Sequence, residues 1–403
     1  MKSPSPHLDL GARAPVRALV ASQIREVANA GLGDPDILPF WFGEPDEVTP
    51  AFIRDAAVTA LAAGETFYTL NFGIPELRDA LAAYVTSLHR AQSANPIAPD
   101  AIAVTASGMS ALMLSIEALI DPRDRVACVT PLWPNLTEIP KILGAEVVRV
   151  PLAFGPGGWT LDLDRLLAAL TPGTRAVMIN SPNNPTGWTL RRDEQQAILA
   201  HCRRHGIWIV ADDVYERLHY GDDAGVNSIA PSFLDIAEPG DCLVSTNSFS
   251  KAWLMTGWRL GWIVAPAELM PDLGKLIEYN TSCSPVFVQR AGVVALTQGE
   301  PTVARTLQRF RRARDFLAAE LARIPGVEAP PPAGAMYAFF RVAGVADSLE
   351  FCKRLVREAK LGLAPGSAFG PEGDGFVRWC FAASEDRLAD GVARLKRYLA
   401  TAR

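Results

Sequence analysis

Between Pro50 and Pro266, short runs of apolar and β-branched residues alternate with longer segments of helical periodicity. This alternation is typical of parallel strands joined by covering helices, because a parallel crossover needs about a dozen residues or more. The strand candidates are Ile102–Thr105, Arg125–Val129, Glu146–Val150, Ala176–Ile179, Ile207–Ala211, Cys242–Ser245 and Leu260–Val264. Helical patterns between them include Gly108–Leu119, Asn135–Leu143, Leu163–Leu170 and Arg191–His205. The sequence therefore predicts an α/β fold whose large part is a mostly parallel seven-stranded sheet sandwiched by helices.

The pattern changes after Glu278, where a long helical stretch, a Pro/Gly cluster at 330–334 and a strand–helix–strand tail follow one another. A chain of 403 residues is also long enough for two domains. We expect a large domain over residues 46–280. A smaller α+β domain would comprise residues 1–45, as an N-terminal arm, and residues 281–403.

Composition excludes several classes of function. Apolar residues make up 49% and charged residues 21% of the chain, as in globular proteins with a sizeable core. The formal net charge of −5 provides no general positive field for nucleic acid, so we expect no nucleic-acid partner. The most apolar window, Ala101–Ile120, contains several serines, Gly108 and Glu117, and is interpreted as a buried strand and helix instead of a membrane span.

Six cysteines are scattered without a CxxC spacing, which argues against a disulfide framework and a zinc ribbon. The N-terminal residues, broken by Pro4, Pro6 and Asp9, do not have the apolar run of a signal peptide. Both observations favour a cytoplasmic protein.

Polar residues follow four of the predicted strands at their carboxyl ends, where ligands bind in open parallel sheets. Ser107–Met109 follow the first strand and open a helix, and Asn180–Gly187 (NSPNNPTG) follow the fourth. Two later strands run into Asp212–Tyr215 and Ser248–Lys251. A helix start, an amide, a carboxylate with a phenol, and a lysine are therefore expected at one edge of the sheet.

These groups match the requirements of pyridoxal phosphate (PLP), which needs an amine for a Schiff base, a carboxylate for its ring nitrogen and a cradle for its phosphate. Free backbone N–H groups at a helix N-terminus bind phosphate readily. We expect them at Ser107, Gly108 and Met109, with Arg259 adding a bidentate clamp. The residues therefore predict PLP as the cofactor.

Three segments carry a resemblance to a known family: SPNNPTG at 181–187, ADDVY at 211–215 and SFSKAWLMTGWRLGW at 248–262. In this order they resemble fold-type I PLP-dependent aminotransferases of the aspartate aminotransferase-like group. The resemblance extends from FGEPD at 42–46 to VRWCF at 377–381. It implies the type I fold of PLP-dependent transferases and ping-pong transamination between an L-amino acid and a 2-oxo acid.

Position by position, the resemblance implies roles around the cofactor ring. Lys251 is similar to the Schiff-base lysine, which also moves the substrate α-proton. Asp212 resembles the carboxylate that keeps the ring nitrogen protonated, and Asn184 and Tyr215 resemble the donors to the ring phenolate oxygen. Trp133, in PLWPN, resembles the aromatic side chain that stacks on the ring.

Further residues resemble the parts of the family site that hold phosphate and substrate. Those of the phosphate cradle are Ser107, Gly108, Met109, Ser248 and Arg259. Tyr68, in FYTLNFGIPELR, would join them from the neighbouring subunit, which implies a homodimer. Arg378 resembles the fork for the substrate α-carboxylate, with Asn184 and the Gly43 backbone beside it.

Most of these residues also have an ordinary structural interpretation. Lys251 alone could be a surface lysine, Asn184 a turn residue before proline, and Trp133 a core side chain. Arg378 could form a surface salt bridge, although its neighbours in VRWCF are apolar. The match of each of these residues to a motif of the family favours the functional interpretation.

Asp212 and Asp213 are adjacent in an extended segment, so their side chains are expected on opposite sides. The three-residue separation between Asp212 and Tyr215 matches the family and selects Asp212 for the ring, which leaves Asp213 as a loop or cap residue. His201 and His205, with Cys202 between them, have metal-ligand spacing but no evident third ligand. We therefore expect no metal.

The substrate is less constrained than the reaction. Some acid-specific relatives have a lysine where this chain has Met109. Other aspartate enzymes use an arginine of the partner subunit, and no counterpart of it is evident here, although Arg290 cannot be placed from sequence. Trp41, Phe42 and Trp133 are also expected near the site. These residues favour neutral or aromatic amino donors over aspartate.

Alternative functions remain open at this point. The same lysine and carboxylate could serve a PLP-dependent lyase or other carbanion chemistry, and an aspartate aminotransferase proper is a further possibility. A PLP-sensing regulator would need a DNA-binding domain, for which the residues before FGEPD are too few. An unrelated metal enzyme using Asp212, Asp213 and Glu216 is the least favoured alternative.

Overall fold

The computed structural model describes residues 11–91, 95–221 and 229–401, so residues 1–10 of the predicted N-terminal arm lie outside the described part. Its helices are α1 (Ala14–Arg17), α2 (Gln23–Ala30), α3 (Ala51–Ala62), α4 (Pro75–His89), α5 (Gly108–Leu119), α6 (Asn135–Leu143), α7 (Leu163–Ala169), α8 (Arg192–His205), α9 (Met270–Asn280), α10 (Val286–Gln298), α11 (Glu300–Ala322), α12 (Ser348–Ala359) and α13 (Glu385–Thr401). Its strands are β1 (Leu38–Pro39), β2 (Ile102–Thr105), β3 (Arg125–Thr130), β4 (Glu146–Pro151), β5 (Ala153–Gly155), β6 (Gly158–Thr160), β7 (Thr174–Asn180), β8 (Trp208–Asp212), β9 (Leu243–Ser248), β10 (Gly261–Val264), β11 (Val327–Glu328), β12 (Tyr337–Val342), β13 (Leu361–Gly362), β14 (Ala364–Pro365) and β15 (Phe376–Cys380).

A seven-stranded sheet in the order β2-β10-β9-β8-β7-β3-β4 forms the larger layer. The pairs β3–β4, β3–β7, β7–β8 and β8–β9 are parallel, whereas β10 runs antiparallel to both β2 and β9. The predicted α/β fold with a mostly parallel seven-stranded sheet is confirmed. The seven predicted strands correspond to these seven, with bounds that differ by a few residues.

Apolar residues on alternate positions of the strands explain why both faces of this sheet are covered. Ile102, Val104 and Val177 face the layer that contains α3, α4, α8 and α10. Ala103 and Met178, on the intervening positions, face α5, α6 and α9. Because successive strand residues point to opposite faces, a continuous apolar run buries both sides.

A smaller antiparallel sheet has the order β11-β12-β15-β14, and the short strand β1 pairs in parallel with β13 nearby. Its core contains large buried side chains from β12 and β15, including Phe340 and Trp379. Ile24 and Val27 of α2 belong to the same core, so the N-terminal helix packs with the C-terminal part of the chain. α10, in contrast, packs against α3 and α4 of the larger layer.

Loops from the large sheet enter the core of the small one. Tyr215 and Leu218, after β8, and Leu254, after β9, are buried with the side chains of β12 and β15. The loop regions that follow β8 and β9 therefore lie between the two sheets. The hairpin β5–β6 turns at residues 155–158. Within the described ranges, none of the helices has the length and apolar character needed to cross a membrane.

Candidate active site

A cavity of about 530 Å³ opens where the polar strand ends of the large sheet meet the small sheet and α2. The predicted site residues that line it are Gly43, Gly108, Met109, Trp133, Asn184, Asp212, Tyr215, Ser248, Lys251, Arg259 and Arg378. Two predicted residues, Ser107 and Tyr68, do not line it. The tertiary structure thus brings together residues that are more than 300 positions apart in the chain.

Ser107 lies just outside the cavity, at the N-cap of α5. Its hydroxyl accepts a hydrogen bond from the Ser110 backbone N–H at 3.0 Å, and its φ of 145° lies in the region that usually favours glycine. A Cβ on Gly261 would lie 2.5 Å from the Gly108 nitrogen, so β10 can approach the start of α5 only because residue 261 is glycine. This close packing fixes the helix N-terminus at the cavity wall.

Ser248 and Arg259 lie next to this helix start. The Ser248 hydroxyl donates to the Ser250 hydroxyl at 2.8 Å, and Ser250 also lines the cavity. The Arg259 guanidinium donates from Nη1 to the Thr256 carbonyl at 2.7 Å, which leaves its other N–H groups for an anion. Two hydroxyls, a guanidinium and a helix N-terminus therefore lie together, and such a set of groups can bind an anion.

Lys251 follows β9 and reaches across the cavity. Its Nζ donates to the Gly43 carbonyl at 2.7 Å and lies 5.8 Å from the centre of the Tyr215 ring. Burial lowers the pKa of Lys251 to about 8, and the Arg378 and Arg259 guanidiniums act in the same direction. An amine with such a pKa is neutral in a sizeable fraction of molecules near physiological pH, as a nucleophile or base requires.

Asp212, the last residue of β8, is a buried carboxylate with few partners. Its Oδ1 accepts one hydrogen bond, from the Val214 backbone at 3.3 Å. Burial raises the pKa of Asp212 from 3.8 to about 7, and the neighbouring Asp213 adds to this effect. A carboxylate in this environment would bind a cationic N–H favourably.

Asp213 points away from the cavity, on the other side of the segment. Its Oδ2 accepts hydrogen bonds from the Ser245 hydroxyl at 2.7 Å and the Ser232 hydroxyl at 3.0 Å. Burial raises the pKa of Asp213 to about 7 as well. The two adjacent carboxylates therefore have different surroundings, and Asp212 is the one in the cavity wall.

Arg378, on β15, also lines the cavity. It is 2% exposed and donates from Nη1 to the Asn184 side-chain oxygen at 3.0 Å and from Nη2 to the Trp41 carbonyl. The aromatic rings of Tyr337 and Phe369 lie 4.4 and 4.9 Å from its Cζ. Its buried Nε has no hydrogen-bond partner among the described residues, so the guanidinium still has donor capacity.

Tyr337 is an additional residue of this site, and sequence reasoning missed it. Its hydroxyl oxygen lies 2.7 Å from that of Tyr215, and it also lines the cavity. A Cβ on Gly43 would lie 1.9 Å from the Tyr337 hydroxyl, so this close approach requires glycine at residue 43. Burial raises the pKa of Tyr337 to about 12, which keeps the phenol neutral.

Other residues that line the cavity were also not predicted from the sequence. The sequence signals that could have identified them differ. Asn180 and Ser250 belong to the same strand-end segments as Asn184 and Ser248, so position in the sheet could have identified them. Asn135 lies at the start of α6 and donates to the Met109 sulfur at 3.3 Å. Arg25, on α2, had no motif or spacing to mark it.

Three further residues of the sequence analysis lie outside the cavity. Tyr68 is 90% exposed in the loop before α4. Arg290 forms ion pairs with Glu65 and Glu76. His201 donates from Nε2 to the Leu170 carbonyl at 2.7 Å, so this side chain has a structural contact. In the described part of the chain, no group of three or more His, Cys, Asp or Glu residues could hold a metal ion.

The sequence is similar to a known protein family and to several of its members. A family model described as aminotransferase class I and II matches residues 35–395. A probable aspartate/prephenate aminotransferase of Aquifex aeolicus is 34% identical over 98% of this chain and 96% of its own. An aromatic-amino-acid aminotransferase of Thermococcus litoralis is 31% identical over 94% of this chain and 95% of its own.

The fold is also similar to that of solved structures. The structure of aspartate aminotransferase from Thermus thermophilus with maleate superposes with a TM-score of 0.87 at 31% sequence identity. The similarity covers 96% of this chain and 99% of the Thermus chain. Both the small-sheet part and the seven-stranded sheet therefore have counterparts in this relative.

Proposed function

As a member of the aminotransferase class I and II family, this chain is a PLP-dependent aminotransferase, and we propose that it transfers the α-amino group of neutral or aromatic L-amino acids to a 2-oxo acid at the cavity between the two sheets. The observation that carries the site assignment is the convergence of Lys251, Asp212 and Arg378 on one cavity. An amine, an acid for a ring nitrogen and a carboxylate-binding arginine are the groups that transamination needs.

The residues in the cavity fit PLP. Asp212 is 5% exposed, and the described residues provide no cationic hydrogen-bond partner for it, as expected of a carboxylate that pairs with a protonated ring nitrogen. Gly108 and Met109, at the start of α5, together with Ser248 and Arg259, would hold the phosphate. When bound there, PLP supplies a carbonyl carbon for the amino group and a ring that withdraws electrons.

The protein's own groups would then bind the substrate and move its proton. The Arg378 guanidinium, held by Asn184 and the Trp41 carbonyl, binds the α-carboxylate through its remaining donors. Lys251 Nζ, whose pKa is lowered to about 8, takes the α-proton and returns it later in the cycle. Asn184 and Tyr215 would hold the cofactor's phenolate oxygen, and Trp133 would stack on its ring.

Apolar side chains in the cavity wall support neutral or aromatic donors. Phe42, Met109 and Leu112 line the cavity, and Lys251 is the one lysine among the described lining residues. Apolar side chains of a substrate are stabilised by such a wall, whereas a carboxylate would be desolvated by it. Arg290, which pairs with Glu65 and Glu76, provides no charge to this cavity within one chain.

We infer that the enzyme is a homodimer in which Tyr68 contributes to the partner's phosphate site. The loop before α4 and the neighbouring α3 expose several large apolar residues, and Phe67 and Tyr68 are 84% and 90% exposed. An isolated soluble subunit rarely exposes such a cluster. Sedimentation equilibrium should give twice the mass of one chain, and Tyr68→Ala should raise the Kd for PLP.

We also propose a division into two domains and a cellular location. We infer that residues 46–280 form the large domain and that residues 1–45 and 281–403 form the small one, with α10 packed back onto α3 and α4. Limited proteolysis followed by mass mapping would test this division. A cytoplasmic location is supported by six cysteines that are all free, since secreted proteins usually pair theirs.

A panel of amino donors tests the reaction and the donor class together. The purified protein, loaded with PLP, is mixed with phenylalanine, tyrosine, leucine, alanine, glutamate or aspartate in single-turnover absorbance measurements. We expect half-transamination with the highest kcat/KM for a neutral or aromatic donor. Aspartate ranking first would overturn the donor class, and release of ammonia or pyruvate without an oxo-acid acceptor would identify a lyase instead.

A further inference from the structure

One arginine of the cavity wall has no role in the site as described so far. Three arginines line the cavity: Arg25, Arg259 and Arg378. The last two donate hydrogen bonds to carbonyl or amide oxygens. The Arg25 side chain has no ion pair or hydrogen bond to any described residue, and its Cζ lies 5.8 Å from the centre of the Phe42 ring.

The helix that carries Arg25 is anchored on both sides. Ser22 caps α2 by accepting a hydrogen bond from the Arg25 backbone N–H at 3.3 Å, and Ile24 and Val27 are buried in the small-sheet core. The Gln23 side-chain oxygen accepts from the Ser367 hydroxyl at 2.7 Å, and Glu26 pairs with Lys353. Arg25 is therefore held at the cavity by its helix, although its own guanidinium is unpaired.

The charges around the cavity make this guanidinium available to a ligand. Among the described lining residues, Asp212 is the one acidic side chain, and it is buried at the end of β8. No carboxylate of the wall therefore competes for Arg25. An arginine binds a carboxylate through two parallel hydrogen bonds, so a free guanidinium beside an apolar wall is well suited to select a second acid group on a substrate.

We propose that Arg25 is a specificity-determining residue that binds the side-chain carboxylate of a dicarboxylic substrate, most simply the 2-oxo dicarboxylic acid that accepts the amino group. This inference rests on the proposed function, because Arg378 must first take the α-carboxylate. A monocarboxylic aromatic donor would instead contact Phe42 and Met109 and leave Arg25 facing solvent. One cavity would thereby accept an apolar donor and an acidic acceptor.

Binding of two inhibitors to the PLP-loaded enzyme tests the inference. Maleate carries two carboxylates and 3-phenylpropionate carries one, and both are titrated by absorbance and by calorimetry against wild type, Arg25→Gln and Arg25→Lys. For Arg25→Gln we expect the Kd of maleate to rise about 10- to 100-fold, since a hydrogen-bonded charged group is lost, with the Kd of 3-phenylpropionate changed less than about threefold. Arg25→Lys should restore part of the maleate affinity.

The matched control is Arg204→Gln, which removes the same charge from the exposed end of α8, away from the cavity. It should leave both Kd values unchanged. Half-transamination kinetics then separate the hypotheses: Arg25→Gln should lower kcat/KM for glutamate far more than for phenylalanine. Equal losses for both substrates, or no loss for either, would overturn the role of Arg25, whereas a wild type inactive with every donor would overturn the proposed function itself.

Discussion

The hydroxyl oxygens of Tyr215 and Tyr337 lie 2.7 Å apart, which joins the loop after β8 to the first residue of β12. The Tyr337 ring also lies 4.4 Å from the Arg378 Cζ. The phenol proposed to contact the cofactor and the arginine proposed to bind the substrate therefore share one neighbour. Through Tyr337, the small sheet helps to position both Tyr215 and Arg378.

Tyr337→Phe should remove the hydrogen bond between Tyr215 and Tyr337 while keeping the aromatic ring in place. The Tyr215 hydroxyl loses its hydrogen-bond partner, and the ring under Arg378 remains, so we expect kcat/KM to fall about 5- to 10-fold. Tyr337→Ala should lower it further, because the guanidinium also loses its stacking partner. Steady-state kinetics measure both effects, with Tyr398→Phe on α13 as the control. Wild-type kcat/KM in Tyr337→Phe would exclude a positioning role.

Lys251→Ala should abolish the reaction, because no other lysine lines the described cavity wall. We expect kcat to fall about a thousandfold or more and the visible absorbance of the bound cofactor to change, since a covalent linkage is lost. Lys275→Ala removes an exposed lysine of α9 and serves as the control. An unchanged absorbance band in Lys251→Ala would show that a different amine carries the linkage.

Asp212→Ala should separate cofactor binding from turnover. The phosphate site remains, so PLP should still bind, but the charge opposite the ring nitrogen is lost, and we expect kcat to fall about a thousandfold. Equilibrium dialysis measures PLP retention, and a coupled assay measures kcat. Asp386→Ala, on the exposed start of α13, is the control. Turnover close to that of wild type would remove Asp212 from the ring site.

The free energy of unfolding should also depend on His89, a buried histidine that contacts Glu216 in the loop after β8. His89 ends α4, and its ring nitrogens lie 2.7 Å from Asp235 Oδ1 and 2.9 Å from Glu216 Oε2, next to Tyr215 in the chain. Burial alone would lower the pKa of His89, but the two hydrogen-bonded carboxylates outweigh it and raise the pKa from 6.5 to about 10. The folded protein therefore favours the imidazolium.

Because the folded pKa exceeds the unfolded one, the stabilisation by His89 is fully present below pH 6.5 and is lost as the pH rises through about 10. His89→Gln should lower the free energy of unfolding by about 3 kcal/mol near neutral pH, since the buried Glu216 loses its cationic partner and Asp235 keeps only Arg192. Denaturant melts at pH 7 and pH 10 measure the difference, which should shrink at pH 10. A constant difference, or an equal effect of the control His205→Gln, would contradict this assignment.

The strand ends show how far sequence reasoning reached into the site. Asp212 and Ser248 were predicted at the sheet edge because each follows an apolar run, and both line the cavity. The direction of β10 could not be predicted in this way. Its apolar run indicated a strand, but only the tertiary structure shows that it pairs antiparallel with β2 and β9. A run buried on both faces has no periodicity that encodes direction.

Site residues that lie outside the motifs could not be predicted from local sequence patterns. Tyr337 lies 122 positions from its hydrogen-bond partner Tyr215, and Arg25 comes from a helix before the first family segment. Neither has a local spacing that marks it. Their contribution depends on how the small sheet and α2 pack against the large sheet, and many sequences with the same local patterns could pack differently.

The sequence by itself determined the α/β class, the strand order in the chain and the chemical groups at the strand ends, because these follow from local periodicity and from short motifs. The tertiary structure decided which groups share a cavity and that Asp212, not Asp213, faces it. It also decided that the Arg25 guanidinium has no acidic partner among the described residues. Burial and charge pairing arise from contacts between distant segments. The pKa values and donor capacities of this site are therefore properties of the packed molecule.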